Sequence, residues 1–231
     1  MGDTAVYRQR MQHDKRAQLY ADRFQTGWRR VINAREQRAV AKIFAALKDV
    51  QVLVDVPSGA GRFIKVLAAG RTLIEADVAF EILSFASERA EEAQLQVTCV
   101  QSDASRLPLC DESVDAVFCN RLLHHIHSAA ERAVFLREFR RVTRKYLVIS
   151  FFDYHSFGGI RRFFKALKGR KPKYHQHPTL AEFTEEVKRS GFRVREVVLI
   201  GPIWVAQKYL VLEKATDQTD LTGSVRSALH P

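Results

Sequence analysis

Residues 52 to 63, Val-Leu-Val-Asp-Val-Pro-Ser-Gly-Ala-Gly-Arg-Phe, constrain the fold more than any other stretch of the chain. An apolar, β-branched run ends in Asp55, and a tight turn carrying Gly59 and Gly61 follows. A parallel strand hands over to a helix in this way when the backbone must pass close to a nucleotide-like ligand. Glycine suits such a turn because a Cβ would block either the turn or the ligand.

The flanking sequence repeats the strand-helix unit. Strands are predicted over 51–56, 72–77, 96–101, 115–119 and 146–151, with helices over 61–69 and 79–93. Val40, Ile43, Phe44 and Leu47 fall at i, i+3, i+4 and i+7, which predicts an amphipathic helix over 34–48. Residues 7–30 read as helix with a break near Gly27. Ser128-Ala-Ala-Glu131 and Thr179-Leu-Ala-Glu182 have capping-box spacing, and each opens a helix; the second stops at Gly191. Strands over 193–200 and 206–213 close the pattern, and the polar, aperiodic stretch 216–231 reads as a disordered tail. Such alternation implies an open, mostly parallel sheet with helices on both faces. Ligands of such sheets bind beyond the carboxyl ends of the strands. That edge carries Asp55 to Gly61, Asp77, Asp103 and Asn120 to His125.

Bulk composition narrows the classes. A chain of 231 residues with 46% hydrophobic and 27% charged residues suits one soluble domain. No apolar run approaches the ~20 residues of a membrane span. The N-terminal Met-Gly-Asp-Thr-Ala-Val lacks the apolar core of a signal peptide, and Val6 stands where a myristoylation signal wants Ser or Thr. Cys99, Cys110 and Cys119 have no CxxC spacing and read as buried thiols, so the expected location is the cytoplasm. A net charge of +11 favours an anionic partner: nucleic acid, an acidic membrane surface or a phosphorylated substrate.

The turn itself excludes two familiar ligands. A dinucleotide fingerprint needs a small third residue, but Ile64 stands there, and no Gly-Lys-Ser/Thr of a P-loop follows. Asp77 ends the second strand, where a carboxylate can accept both hydroxyls of a ribose. Asp103 ends the third, where an acid can take an exocyclic adenine amine. Two acids suit a cationic adenosine better than a pyrophosphate. Each acid also has a plainer reading: Asp55 as a helix cap and Asp103 as a turn former.

In these residues the chain resembles the class I S-adenosylmethionine-dependent methyltransferases, in their type 11 branch. The matching blocks are Asp55-Val-Pro-Ser-Gly-Ala-Gly-Arg62, Glu75-Ala-Asp77-Val78, Ser102-Asp-Ala-Ser-Arg-Leu-Pro108, Ser113-Val-Asp115, Leu122-Leu-His-His-Ile126 and Glu138-Phe-Arg-Arg-Val142, in order across roughly 50 to 151. The resemblance implies a Rossmann-like, doubly wound α/β fold of seven strands with an antiparallel last strand. It implies S-adenosyl-L-methionine as cofactor and S-adenosyl-L-homocysteine as product. Asp55, Pro57, Ser58, Gly59, Ala60 and Gly61 would cradle the methionine part. Asp77 and Val78 would hold the ribose, Asp103 and Ala104 the adenine, with Asn120 and Arg121 near the sulfonium. Two positions depart from the pattern: Pro57 replaces the first loop glycine, and Arg144-Lys145-Tyr146 replaces a Pro-Gly-Gly turn.

The acceptor side is less specified. His124 and His125 either deprotonate the acceptor or pack at the start of a helix, because displacement on an activated sulfonium can proceed by positioning alone. Asp153 and His155 lie beyond the fifth strand. Residues 156–178 contain no acid, and Ile160, Phe163, Phe164 and Leu167 form a helical stripe among arginines and lysines. This basic amphipathic insertion is expected to be a lid, its charges either merely solvated or touching an anionic surface such as lipid headgroups. Tyr20, Arg23, Phe24 and Trp28, in the segment 1–33, would close the pocket from the other side of a domain spanning 34–215. The expected acceptor is a small or lipid-linked molecule methylated on O, N or C, the basic lid tilting the choice modestly towards an amphiphilic or anionic one. The expected location is cytoplasmic, either free or peripheral at the inner membrane face. No metal-ligand spacing occurs, and the Asn/Asp-Pro-Pro-Tyr motif of base-amine methyltransferases is absent, which sets nucleic acid behind the other acceptors. The alternative is a catalytically silent module that binds an anionic membrane or nucleic acid through the lid.

Overall fold

The seven strands are β1 (Val52–Asp55), β2 (Thr72–Asp77), β3 (Val97–Gln101), β4 (Val114–Cys119), β5 (Thr143–Phe152), β6 (Phe192–Leu199) and β7 (Gln207–Lys214). In this computed structural model, which describes residues 27–153, 177–201 and 205–216, they form one sheet in the order β3-β2-β1-β4-β5-β7-β6. Strands β1 to β5 pair in parallel, and β7 runs antiparallel to both β5 and β6. Strand order reverses between β1 and β4, the position at which open α/β sheets leave a crevice for ligand.

Both faces of the sheet are covered, which the strand sequences already reflect: all six residues of β4 are buried. The two-residue period sorts them. Leu53, Ala116, Phe118 and Val148 pack towards helix α1 (Gly27–Ala46) with Phe44, Phe63 and Tyr209. Val54, Val117, Leu147 and Ile149 pack on the opposite face, with Phe139 of α4 (Ala129–Val142) and Phe183 of α5 (Leu180–Arg189). Phe118 meets Phe63 edge-on at 5.1 Å and Phe44 at 6.0 Å. Full burial of one such ring contributes about 1.5–3 kcal/mol. The remaining helices are the single turn α2 (Ile64–Leu67) and α3 (Phe80–Glu92).

Four local expectations need correction. Helix α1 is continuous from Gly27 to Ala46, so the helix predicted over 34–48 joins the end of the one predicted over 7–30. Its first turns lack an apolar stripe, but the arginine and alanine content supports a helix without one. The helix predicted over 61–69 shrinks to α2, because Gly61 and Gly70 adopt φ of +66° and +70°. Strand β5 starts at Thr143, directly after α4, so Arg144 and Lys145 belong to the strand predicted from 146, at the irregularity where its register with β4 shifts. Arg144 and Lys145 pair there with Asp115 and Asp49, both at 2.9 Å. Of the three cysteines only Cys119 is buried; Cys99 is half-buried and Cys110 exposed, in the loop before β4.

Thr179 forms the reciprocal capping box with Glu182, and Ser128 caps α4 through its hydroxyl alone. Arg132 of α4 makes a two-point ion pair with Glu186 of α5, at 2.8 and 2.6 Å, and donates to the carbonyls of Ile126 and His127. This ties the loop after β4 to both helices on that face. Tyr20, Arg23, Phe24, His155, Phe163 and Phe164, most of the 156–178 insertion and the tail from 217 lie outside the described residues.

Candidate functional site

The turn after β1 is held from two sides. Ser58 N–H donates to the Ala76 carbonyl at 2.9 Å, and Gly59 N–H donates to Asp77 Oδ2 at 2.9 Å. Asp77 Oδ1 accepts from Ala79 N–H at 3.0 Å, so one carboxylate fixes both the turn and the start of α3. Gly59 and Gly61 have φ of +56° and +66°, and a Cβ on Gly61 would sit 3.0 Å from Ala86 Cα. The glycines are therefore demanded by backbone conformation and by the close approach of α3. Pro57 follows a cis peptide bond and its missing N–H costs no bond here, because Ser58 and Gly59 supply the donors. On the outer side, the Arg89 guanidinium donates to the Ala60 carbonyl.

Beside the turn lie three buried carboxyl groups. Asp55 pairs in register with Glu75, and Asp77 follows two residues later, so all three share one face of the sheet. Asp55 Oδ1 and both Glu75 oxygens are buried without a hydrogen-bond partner. Burial pushes the Asp77 carboxyl up to about 6 and Glu75 to about 8; burial and the neighbouring Glu75 charge hold Asp55 well above the carboxylate range. Unpaired acids at a glycine turn fit a ligand that brings positive charge and hydroxyl donors. Asp103 is half-buried beyond β3, and its Oδ1 accepts from Ser105 N–H and Oγ–H at 2.9 and 2.7 Å. Ala104 is buried beside it, and the half-buried Val78 offers its carbonyl to Gln101.

A pH dependence follows. Ionised carboxylates are the forms that a cationic adenosine favours, so its binding at neutral pH should expel protons. Affinity for S-adenosylmethionine is expected to rise roughly tenfold as pH increases through the interval between about 6 and about 8. Without ligand the sign reverses for stability: folded-state values above the unfolded ones mean stability is lost as pH rises from the ordinary carboxylate range of about 4, up to about 6 for Asp77 and about 8 for Glu75. Calorimetry in buffers of different ionisation enthalpy reads the proton release; binding that is independent of buffer and pH would refute the arrangement.

The sequence reading missed a second cluster opposite the acids. Glu36 of α1 is fully buried. Its Oε2 accepts from Arg62, just past the glycine turn, and its Oε1 from Arg121 Nη2 at 2.7 Å. Arg62 also donates to Asn33 Oδ1 at 3.0 Å, and Arg121 to Gln207 Oε1 at 3.0 Å. Arg121 adopts φ of +61°, its N–H donating to Ser150 Oγ at 2.7 Å. Asn120 is buried and accepts from Tyr209 at 3.3 Å. One buried glutamate thus ties α1, the turn and the ends of β4 and β7 together. The available signal was that Glu36 is the sole acid in the otherwise basic stretch 27–48.

His124 and His125 form a 3-10 turn after β4. The His124 ring stands 3.9 Å from His125 and 4.4 Å from Phe152, and its Nδ1 is buried without a hydrogen-bond partner. Burial, with the charges of His125, Arg121 and His177, pushes His124 down to about 3, so it is neutral at physiological pH. His124, Ser150, Phe152 and His177 line a narrow cavity at this edge. Asp153 is buried at the end of β5 and accepts from Lys208 Nζ at 2.7 Å. Trp28 sits on α1, 66% exposed. Among the described residues, no group of three His, Cys, Asp or Glu side chains is placed to hold a metal ion. No helix among them is long and apolar enough to cross a membrane.

Comparison with known proteins agrees with this fold. Residues 54–149 match the family model described as a methyltransferase domain. Among solved structures, the fold is similar to magnesium protoporphyrin IX methyltransferase from Synechocystis PCC 6803 with bound S-adenosylhomocysteine. The TM-score is 0.72 at 17% identity, over 93% of this chain and 100% of that one. An S-adenosylmethionine-dependent methyltransferase from Clostridium acetobutylicum gives 0.64 at 10% identity, covering 87% of this chain and 98% of that one. One from Aquifex aeolicus gives 0.55 at 22%, covering 71% and 82%. No curated protein matches the chain.

Proposed function

We propose a specific acceptor class for this chain, which is a class I S-adenosylmethionine-dependent methyltransferase: a small or lipid-linked, anionic molecule methylated on oxygen, nitrogen or carbon. The bound cofactor supplies a methyl group activated on a positive sulfonium. What the chain supplies is the seat for it: the Gly59–Gly61 turn, Asp55 and Asp77 on one side, Asp103 and Ala104 on the other. The observation that carries the acceptor reading is the charge of the sequence that follows β5: residues 156–178 hold cations and no acid, whereas Arg121 and Lys208 at the strand edge are already neutralised by Glu36 and Asp153.

Catalysis by positioning suits these residues. A neutral His124 wedged between His125 and Phe152 forms a rigid wall that orients an acceptor and excludes water. Proton removal falls to His125, which is exposed at the edge, when the acceptor is not already an anion. Asp153 adds to the acceptor side, to which Tyr20, Arg23, Phe24, His155, Phe163 and Phe164 are assigned from the sequence alone, whereas Trp28 stands exposed on the outer side of α1; the location proposed is cytoplasmic, peripheral to the inner membrane face.

The test is transfer of isotopically labelled methyl from S-adenosylmethionine into lipid and glycolipid extracts and into water-soluble metabolite pools. Label is expected in anionic acceptors, with His124→Ala lowering turnover about tenfold or more. Label confined to cationic or uncharged products would overturn the acceptor class while leaving the methyltransferase intact.

A further inference from the structure

Helix α1 buries Glu36, Ala39, Val40, Ile43 and Phe44 against the sheet. Its other side carries Trp28, Val31, Arg35, Arg38 and Lys42, spaced three, four, three and four residues apart, so they fall in one stripe along the helix. Trp28 and Val31 are 66% and 42% exposed, which is unusual for large apolar side chains placed side by side. Arg38 and Lys42 are exposed and Arg35 half-buried, its guanidinium 5.9 Å above the Trp28 ring. Arg30, Val31, Ala34, Arg35 and Arg38 line a shallow groove on this side. Residues 27–48 hold six cations, and their one acid, Glu36, is turned inward and already engaged by Arg62 and Arg121. Arg30, Arg35, Arg38 and Lys42 therefore meet no carboxylate among the described residues.

We infer that the exposed stripe of α1 is a docking surface for an anionic lipid bilayer, distinct from the insertion at 156–178. The charge pattern calls for an anionic surface, and the end of the stripe selects which kind. Tryptophan and valine beside unpaired arginines match the interfacial layer of a bilayer, where an indole sits at headgroup depth and cations meet lipid phosphates. A polynucleotide would use the cations but gains little from an exposed valine.

The placement has a consequence for the reaction. The same helix reaches the glycine turn and β4 through Asn33 and Glu36, and Arg35 lies close to Gly201 and Val205, in the loop joining β6 to β7 at the sheet's carboxyl edge. Docking through α1 thus brings the acceptor edge up to the membrane surface. This extends the lipid-linked acceptor reading without depending on it, since docking and transfer are measured separately.

The test is co-sedimentation of the full chain with vesicles of phosphatidylcholine alone and of phosphatidylcholine with one-third phosphatidylglycerol. Binding is expected only to the anionic vesicles, weakened by added salt. The triple variant Arg30→Glu, Arg38→Glu, Lys42→Glu is expected to lower the partition at least about tenfold. None of these residues belongs to the cofactor site, so S-adenosylhomocysteine affinity by calorimetry should be unchanged and certifies the fold. Wild-type protein that ignores anionic vesicles overturns the proposal, as does a triple variant that sediments like wild type. Tight, salt-sensitive binding to a DNA or RNA duplex without vesicle binding overturns it in favour of nucleic acid. Vesicle binding with no methyl transfer to lipid would sink the lipid-linked acceptor and keep the docking surface.

Discussion

Replacing Asp77 with alanine is expected to reduce affinity for S-adenosylmethionine and S-adenosylhomocysteine by about a hundredfold or more. The size follows from what the carboxylate does. It accepts from the Gly59 and Ala79 amides, so its removal releases the turn and the start of α3 together. In the proposed seat it would also accept from the ribose hydroxyls at the end of β2. Hydrogen bonds to a charged group contribute about 1.5–3 kcal/mol each, and about 2.8 kcal/mol is already a hundredfold. Asp77→Asn separates the parts: its remaining carbonyl can hold one amide but gives the ribose a donor in place of an acceptor, so an intermediate loss is expected. Isothermal calorimetry on the three proteins, with thermal unfolding to check their folds, decides the matter. Wild-type affinity in a folded Asp77→Ala protein would remove the ribose from this carboxylate.

The parts of this site that the sequence announces are those built from neighbours along the chain. The glycine turn is legible because a strand, an acid and two glycines must be contiguous to make it, and Gly59 and Gly61 take the positive φ that their residue type suggests. Asp77 is legible because it ends an apolar run at the same edge. Glu36 is not, because its meaning lies in Arg62 and Arg121, the second of them 85 positions away. From sequence it reads as an ordinary charge on a basic helix, and only the fold reveals it to be buried. The early start of β5 was hidden for a related reason. Arg144 and Lys145 look like a polar turn, but Asp115 and Asp49 on neighbouring elements supply partners that let them stand in a strand. The unpaired Glu75 was equally silent, since a carboxylate inside a strand declares its burial only when both faces of the sheet are known to be covered.

Replacing Glu36 with leucine is expected to destabilise the fold by roughly 3–5 kcal/mol, the range for removing one partner from a buried ion pair. Leucine fills much of the same space, so the loss comes from electrostatics rather than from a cavity. Two guanidinium groups, with side chains 13% and 25% exposed, would then face each other without their shared anion. Asn33 and Gln207 still accept from them but carry no charge to offset theirs. The triple variant Glu36→Leu, Arg62→Leu, Arg121→Leu is expected to recover most of the loss, because a buried ion cluster replaced whole by apolar groups is often neutral. Recovery of stability should not restore cofactor affinity. Arg62 joins α1 to the residue after Gly61, and Gln37 grips the Arg62 carbonyl at 3.2 Å, so the cluster also holds the turn in its ligand-ready shape. Urea unfolding followed by circular dichroism, paired with S-adenosylhomocysteine calorimetry, reads the two effects separately. A Glu36→Leu protein within about 1 kcal/mol of wild type would mean that solvent already screens the two arginines and that the cluster neither anchors α1 nor shapes the turn.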